Sequence, residues 1–266
     1  MEKIIDINYF ELFAGYALML IPVFVLWYYK TGLVKDVLWA TVRMTVQLLL
    51  VGVYLEYIFS LNSTLINILW VFVMSIIATY TIIQRSDLNF KLFFIPIFLS
   101  GIISIAITDA YFLGFVVKLD NIFDARYFIP ITGMLLGNTI KNVIITLDAY
   151  YKRIDNEQNL YRWHLANGAN HQEALLPFMR DALKISFNPL IATTAIMGLI
   201  SLPGMMTGQI LGGSNPNVAV KYQIMLLITI FSSAILNVVL TILFSNRIAF
   251  DNYYNIKKGI FRNSKL

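Results

Sequence analysis

The chain has no cysteine among its 266 residues. Disulfides, thiolate metal ligands and a cysteine nucleophile are thereby excluded. Histidine is nearly missing as well. His164 and His171 are the only two, too few for a histidine-rich metal centre. Charge is scarce: Asp, Glu, Lys and Arg make up 13% of the residues, against roughly 25% in soluble domains. No His-Glu-x-x-His, no Gly-rich phosphate loop ending in Lys-Ser/Thr and no Ser-centred elbow occurs. Glu157, Glu173 and Asp181 share one loop but lack a metal-binding spacing. No motif for catalysis or ATP hydrolysis is present, so the chain reads as a non-enzyme.

Apolar residues fill the space that charge leaves. They make up 58% of the chain, and the mean hydropathy is +0.70. A helix needs about 20 mostly apolar residues to cross the hydrocarbon core. Seven segments reach that length: Tyr9 to Tyr29, Val37 to Phe59, Thr64 to Gln84, Leu92 to Val117, Tyr127 to Leu147, Phe187 to Leu211 and Tyr222 to Phe244. The pattern predicts an all-α, polytopic membrane bundle of about seven spans. No internal repeat is visible, and 1–266 reads as a single transmembrane domain. The first apolar run is too long for a signal-peptide core, and no small-x-small cleavage site follows it, so it reads as a retained span.

The net charge of +5 is not a nucleic-acid signal. Its residues gather in a few connections and in the tail. With the N-terminus outside, fourteen Lys and Arg residues fall on the inner side and four on the outer side. That bias fits an N-outside, C-inside chain with an odd number of spans. Aromatic residues at segment ends (Trp27-Tyr28-Tyr29, Tyr127-Phe128 and Tyr150-Tyr151 among them) suit interfacial belts or ordinary lipid contact.

Near the C-terminal third runs Leu202-Pro203-Gly204-Met205-Met206-Thr207-Gly208-Gln209-Ile210-Leu211-Gly212-Gly213. Helix breakers interrupt a stretch that is otherwise apolar enough for a bilayer. Irregular backbone at membrane depth is tolerated only where protein buries it or water lines it. The stretch therefore points to a pathway and to transport. Its place at the outer end of the sixth segment suits a gate or turn built from Pro203, Gly204, Gly208 and Gly212.

Other polar groups interrupt the apolar segments. Arg43 and Gln47 lie at i and i+4 in the second segment, on one helical face. Arg43 either faces the pathway or snorkels to the inner surface. Glu56 and Asp109 read as outer headgroup-level carboxylates, Glu56 near the outer exit. The fifth segment carries Gly133, Met134, Gly137 and Asn138. A Gly-xxx-Gly pair permits close helix approach or makes a flexible pathway wall. Met134, Met205 and Met206 are packing residues or soft ligands.

One connection is long, about 148–186, and inner in this topology. Asn170-His171-Gln172-Glu173 has the spacing of a capping box. Gly168 precedes it and Pro177 follows. A short helix between two breakers is expected there, with Gly168, Ala169, Asn170, Glu173, Ala174 and Pro177 as its key residues. It is either a surface amphipathic helix or a rigid element that takes up the movement of a motor subunit.

Three separated stretches carry a resemblance. They are Thr41-Val42-Arg43-Met44-Thr45-Val46-Gln47 with Leu55-Glu56-Tyr57; Pro130-Ile131-Thr132-Gly133-Met134-Leu135-Leu136-Gly137-Asn138; and Ser201-Leu202-Pro203-Gly204-Met205-Met206-Thr207-Gly208-Gln209 with Pro216 and Tyr222-Gln223-Ile224. Together they resemble the FetB-type family of ABC permeases, linked to bacterial iron export and including plant aluminium-tolerance permeases. The resemblance covers nearly the whole chain. It implies a multi-pass permease of the plasma membrane that exports a metal ion, iron first, and holds no permanent cofactor. ATP would be bound and hydrolysed by a separate ATP-binding cassette subunit, two of each chain forming the complex. The 168–177 element would couple the two. A substrate path would be lined by Arg43, Gln47, Met134, Asn138, Met205, Met206 and Gln209, with Glu56 near the outer exit. Glu56, Met205 and Met206 would be the metal contacts, and Gly133 and Gly137 would join the gate glycines. The rival reading is a stand-alone secondary metal transporter or channel.

Overall fold

A computed structural model describes residues 8–200, 202–257 and 259–262. The acidic N-terminus with Lys3, Ser201 of the broken stretch, and Lys258 and Lys265 of the basic tail lie outside the described residues. Among the described residues there are ten α-helices and no strand. They are α1 (Tyr9–Gly15), α2 (Leu20–Tyr28), α3 (Val34–Leu61), α4 (Thr64–Arg85), α5 (Phe90–Asp109), α6 (Ala125–Asn156), α7 (Gln158–Ala166), α8 (His171–Ile196), α9 (Gly204–Leu211) and α10 (Pro216–Ala249). A 3-10 turn, Tyr16–Met19, joins α1 to α2, and a π-helical stretch, Ala110–Val116, prolongs α5. The chain divides into two compact units, Met1–Asn62 with Leu211–Gly213 and the remainder.

The first unit holds α1 to α3. Asn8 caps α1 and receives the Phe10 and Glu11 N–H groups at 3.1 Å each, while Glu11 accepts the Asn8 N–H at 3.0 Å. The Tyr16 and Thr45 hydroxyls are hydrogen-bonded, tying the 3-10 turn to α3. Thr41 and Thr45 donate back to carbonyls one turn earlier, both at 2.9 Å. This satisfies hydroxyls that lipid could not. Ile58 is the one buried residue of α3.

In the second unit α4, α5, α6 and α10 form the bundle. Its apolar faces recur at helical spacing, for example Val71, Ser75, Ala78, Thr79 and Ile82 along α4. A seam of small polar residues joins α5 to α10. The Ser100 and Thr241 hydroxyls lie 2.6 Å apart, and Ser104 donates to the Ser233 carbonyl at 2.9 Å. Small residues let the two backbones approach, and each polar atom finds a protein partner. As α5 advances its partners on α10 regress, so these two helices are antiparallel.

The bundle's other contacts fix its ends. Tyr151, near the end of α6, donates to Ser245 near the end of α10 at 2.7 Å and packs edge-on against Phe93 near the start of α5. One end of the bundle therefore collects the ends of α4, α6 and α10 and the start of α5. A large apolar cluster fills it, including Phe93, Tyr150, Phe178, Phe250 and Ile260. The tail completes this end. Asn89 N–H donates to the Ile260 carbonyl at 2.8 Å, and Arg262 N–H donates to the Asp87 carbonyl at 2.7 Å.

Six helical stretches among the described residues are long and apolar enough to cross a membrane: Phe10–Tyr28, Val34–Leu61, Thr64–Arg85, Phe90–Val116, Ala125–Asn156 and Pro216–Ala249. The expected sixth of the seven, Phe187 to Leu211, is not one rod. α8 ends at Ile196, Met197 is extended, and Gly198 takes φ +86°. Only glycine adopts that conformation without strain. Pro203 has no N–H to continue a helix, and its carbonyl accepts the Thr207 N–H at 3.0 Å to open α9. The break thus precedes the glycines of the 203–213 stretch, of which Gly204 and Gly208 are helical while Gly212 and Gly213 form the turn after α9. A crossing is still required. α6 ends where α10 ends, and α10 begins 34 residues earlier, roughly 50 Å away at 1.5 Å per residue. α8 and α9 make that traverse, as a broken seventh crossing.

A bulkier residue in the seam tests its tightness. Ser104→Leu is expected to lose about 1–3 kcal/mol to overpacking. Ser104→Ala should lose only about 1 kcal/mol for its hydrogen bond. Thermal unfolding midpoints in detergent would rank the two. Equal midpoints would show that the helices do not pack closely at this position.

Candidate functional site

The long connection is a helical elbow. α6 runs on to Asn156, α7 follows, and Gly168 turns the chain with φ +90°. Nothing lies within 4 Å of a Cβ built at Gly168, so the requirement for glycine there is conformational, not steric. The capping box forms: Asn170 Oδ1 accepts the Glu173 N–H at 2.9 Å, and Glu173 accepts the Asn170 N–H at 2.8 Å. Pro177 does not end the helix as the sequence led us to expect. It lies inside α8, which also contains Pro189 and continues to Ile196. A proline here forfeits one intrahelical bond. Ala174, Leu175, Phe178 and Ala182 meanwhile bury one face in the large cluster, which holds the helix together across the gap. Ala169 packs against the same cluster. The short helix between breakers is therefore only the opening part, His171 to Pro177, of a 26-residue helix.

The elbow is fastened on two sides. Arg153 of α6 bonds both Glu157 and Asp181 of α8, and its guanidinium lies 5.5 Å from the Phe178 ring centroid. The Arg153 hydrogen bond holds the Asp181 carboxyl below its ordinary range. On the other side His171 is caged by the tail. Its ring stacks on Tyr254 and meets Phe250 edge-on, both at 4.7 Å. Its Nδ1 lies 2.7 Å from the Tyr161 hydroxyl. Burial pushes the Tyr161 hydroxyl up to about 12 and holds His171 below its ordinary 6.5. Leu160, Trp163 and Leu176 are left exposed on the elbow.

The expected pathway residues are distributed over both units. In the first, α3 carries Arg43, Gln47 and Glu56, all exposed. In the second, Met134 is half-buried against the cluster of Phe112, Leu113 and Phe128. Asn138 is exposed and donates to the Met134 carbonyl of its own helix at 2.8 Å. A Cβ at Gly133 would meet Met74 of α4 at 3.8 Å, so this glycine serves helix packing, whereas Gly137 faces open space. On α9, Met205 is exposed while Met206 and Gln209 are half-buried. Nothing lies within 4 Å of a Cβ at Gly204 or Gly208. Pro203 is half-buried and Gly212 exposed. No hydrogen bond links Met134 or Asn138 to Met205, Met206 or Gln209 among the described residues. Nor do those residues contain a group of three His, Asp or Glu side chains arranged to hold a metal ion.

One residue was misread from the sequence. Asp109 is not a headgroup-level carboxylate; it is 2% exposed, inside the bundle. It stands where α5 passes into the π-helical stretch, a form that often marks functional positions. Its Oδ2 accepts the Thr132 hydroxyl of α6 at 2.6 Å, and Oδ1 has no partner. An intramembrane carboxylate facing the protein interior is a functional candidate. The polar Ile107-Thr108-Asp109 interruption was the available signal.

These features define a class: a multi-pass, all-helical membrane protein with a rigid elbow at one end. The family model for the uncharacterised protein family UPF0014 matches residues 9–250, and the chain belongs to that family. The probable iron export permease protein FetB of Escherichia coli (strain K12) is 33% identical over 227 residues, covering 84% of this chain and 86% of that one. The UPF0014 membrane protein YjkA of Bacillus subtilis (strain 168) is 31% identical over 88% of this chain and 92% of its own. Protein ALUMINUM SENSITIVE 3 of Arabidopsis thaliana is 32% identical over 80% of this chain and 77% of its own. No solved structure matches. The resemblance read from the three motifs is borne out.

The caged histidine has a pH consequence. Its folded pKa lies below 6.5, so the undocked state binds the proton more readily. Docking is fully stable above about 6.5 and weakens as pH falls through the folded pKa. Hydrogen exchange of residues 250–257, corrected for intrinsic rates, should quicken between about pH 7.5 and pH 5.5. His171→Phe should abolish that pH dependence; its persistence would assign the effect to another group.

Proposed function

We propose that this chain is the membrane subunit of an ABC transporter that exports a metal ion, iron first. ATP is hydrolysed by a separate ATP-binding cassette subunit. The observation that carries this reading is the 33% identity, over 86% of its length, to a relative named as a probable iron export permease. The elbow supports it mechanically. A motor subunit needs a stiff handle, and α7 with the start of α8 is fastened to α6 by Arg153 and to the tail by His171. Exposed Leu160 and Trp163 supply apolar contact for the partner. In this reading the elbow faces the cytoplasm of a plasma-membrane protein, with the N-terminus outside.

A 2:2 complex follows the same reading. α3 is exposed along nearly its whole length, and α9 offers bare Gly204 and Gly208 to a second permease chain. Metal is cargo here, not a resident cofactor. Arg43, Gln47, Met134, Asn138, Met205, Met206 and Gln209 are the pathway residues. Glu56 with the two α9 methionines would contact the metal, and Gly133, Gly137, Pro203, Gly204, Gly208 and Gly212 would form the gate.

Co-purification with an ATP-binding cassette protein, followed by metal-stimulated ATP hydrolysis in liposomes, tests the proposal. Gly168→Val forces a β-branched residue to φ +90° and is expected to abolish stimulation at equal expression. Full stimulation in that variant would remove the elbow from coupling.

A second reading has one observation in its favour. The buried Asp109–Thr132 pair suits a coupling-ion site of a stand-alone secondary transporter. Metal flux in liposomes driven by an ion gradient without any ATPase, and lost in Asp109→Asn, would establish it instead.

A further inference from the structure

A cavity of about 400 Å³ opens between α8 and α10 at the elbow end of the bundle. Drug-sized ligands occupy spaces of about 300–1,000 Å³. Its walls are segregated along the helices. Leu176 and Met179 of α8 face the cavity together with Ile242 and Leu243 of α10. Beyond them the lining turns polar on both helices, with His171 and Gln172 on one and Arg247 on the other. α8 starts where α10 ends, since His171 touches Phe250. The polar groups of both helices therefore lie at the same end, and the apolar wall runs from there into the span.

The polar end is poor in compensation. Arg247 is exposed and makes no hydrogen bond or ion pair among the described residues. The neighbouring Glu173 carboxylate is already engaged by the Asn170 N–H. The Tyr161 hydroxyl lies 2.7 Å from His171 Nδ1, and either atom can be the donor. In the tautomer with its proton on Nε2, His171 adds a donor on a residue that lines the cavity. Arg247, His171 and the Gln172 amide together supply donors and one uncompensated positive charge.

We propose that this cavity binds one anionic glycerophospholipid, its phosphate at Arg247 and His171 and an acyl chain along Leu176, Met179 and Leu243. The charge calls for an anion, and the apolar wall calls for a chain. Inorganic phosphate would leave the wall uncovered. A choline headgroup would bring its own cation to the unpaired arginine. Basic pockets between spans are a recurrent place for anionic headgroups. This site is separate from the transport pathway and independent of the cargo.

The test uses the full chain in mild detergent. Phosphatidylglycerol and phosphatidylcholine are added at equal mole fraction, and retained lipid is counted by native mass spectrometry. Phosphatidylglycerol should be retained about fivefold more, as one basic side chain at a charged membrane surface implies. Arg247→Gln should bring it down to the phosphatidylcholine level, and Arg247→Lys should keep most of the preference. Leu243→Trp, which fills the wall, should lower phosphatidylglycerol retention with Arg247 intact. Arg247 is bonded to none of the described residues, so its variants should keep the lipid-free unfolding midpoint. Equal retention of the two lipids would overturn the proposal. So would an unchanged preference in Arg247→Gln, or full displacement of phosphatidylglycerol by millimolar inorganic phosphate. If Arg247→Gln leaves lipid retention intact but loses the ATP-binding cassette protein on co-purification, the cavity is a protein contact and the lipid site is refuted.

Discussion

A hydroxyl in hydrocarbon has only protein to bond to, and the second unit is organised by that constraint. Ser100, Ser104, Ser233 and Thr241 meet in the α5–α10 seam, where their hydroxyls find partners across the two helices as well as along them. Their small volume brings the two backbones close. Leu and Ile face lipid as comfortably as they face each other, so apolar residues alone would not fix which helix faces meet. The seam selects the pairing, and the pairing brings the ends of α6 and α10 to the start of α5. The elbow and the tail dock on the platform so formed.

That platform is where membrane and aqueous chemistry exchange places. Tyr150 and Tyr151 are buried, yet both hydroxyls are engaged by α10, through Asn246 and Ser245. Phe93, Phe178 and Phe250 fill the space around them. An aromatic residue with one polar tip suits such a boundary. The elbow leans on this filled cluster through Ala174, Leu175, Phe178 and Ala182. Arg153 serves two partners at once and pins α8 to α6 beside the turn.

Much of this was legible in the sequence, for identifiable reasons. Long apolar runs reveal spans, since length and hydropathy are one-dimensional. Asn170 and Glu173 announced the start of α8, because a capping box is local. Pro177 misled, because the donor it removes is a local property whereas the buried face that outweighs it is tertiary. Asp109 misled for a related reason. Position along a span gives depth, but which side of the helix faces the bundle depends on partners, here Thr132 of α6. The break at Gly198 was hidden beside the more conspicuous Pro203 and Gly204. His171 and its aromatic cage were invisible, since Phe250 and Tyr254 lie far along the chain from Tyr161 and His171.

The tail clasp has a consequence in time. Residues 259–262 hydrogen-bond to the α4–α5 connection at Asp87 and Asn89, which the ribosome makes some 170 residues earlier. Every span is inserted before the clasp can close. Until then the Asn89 N–H and the Asp87 carbonyl lack the partners that the tail supplies. Closure of the clasp is thus a built-in signal that the polypeptide has been made through α10 and beyond.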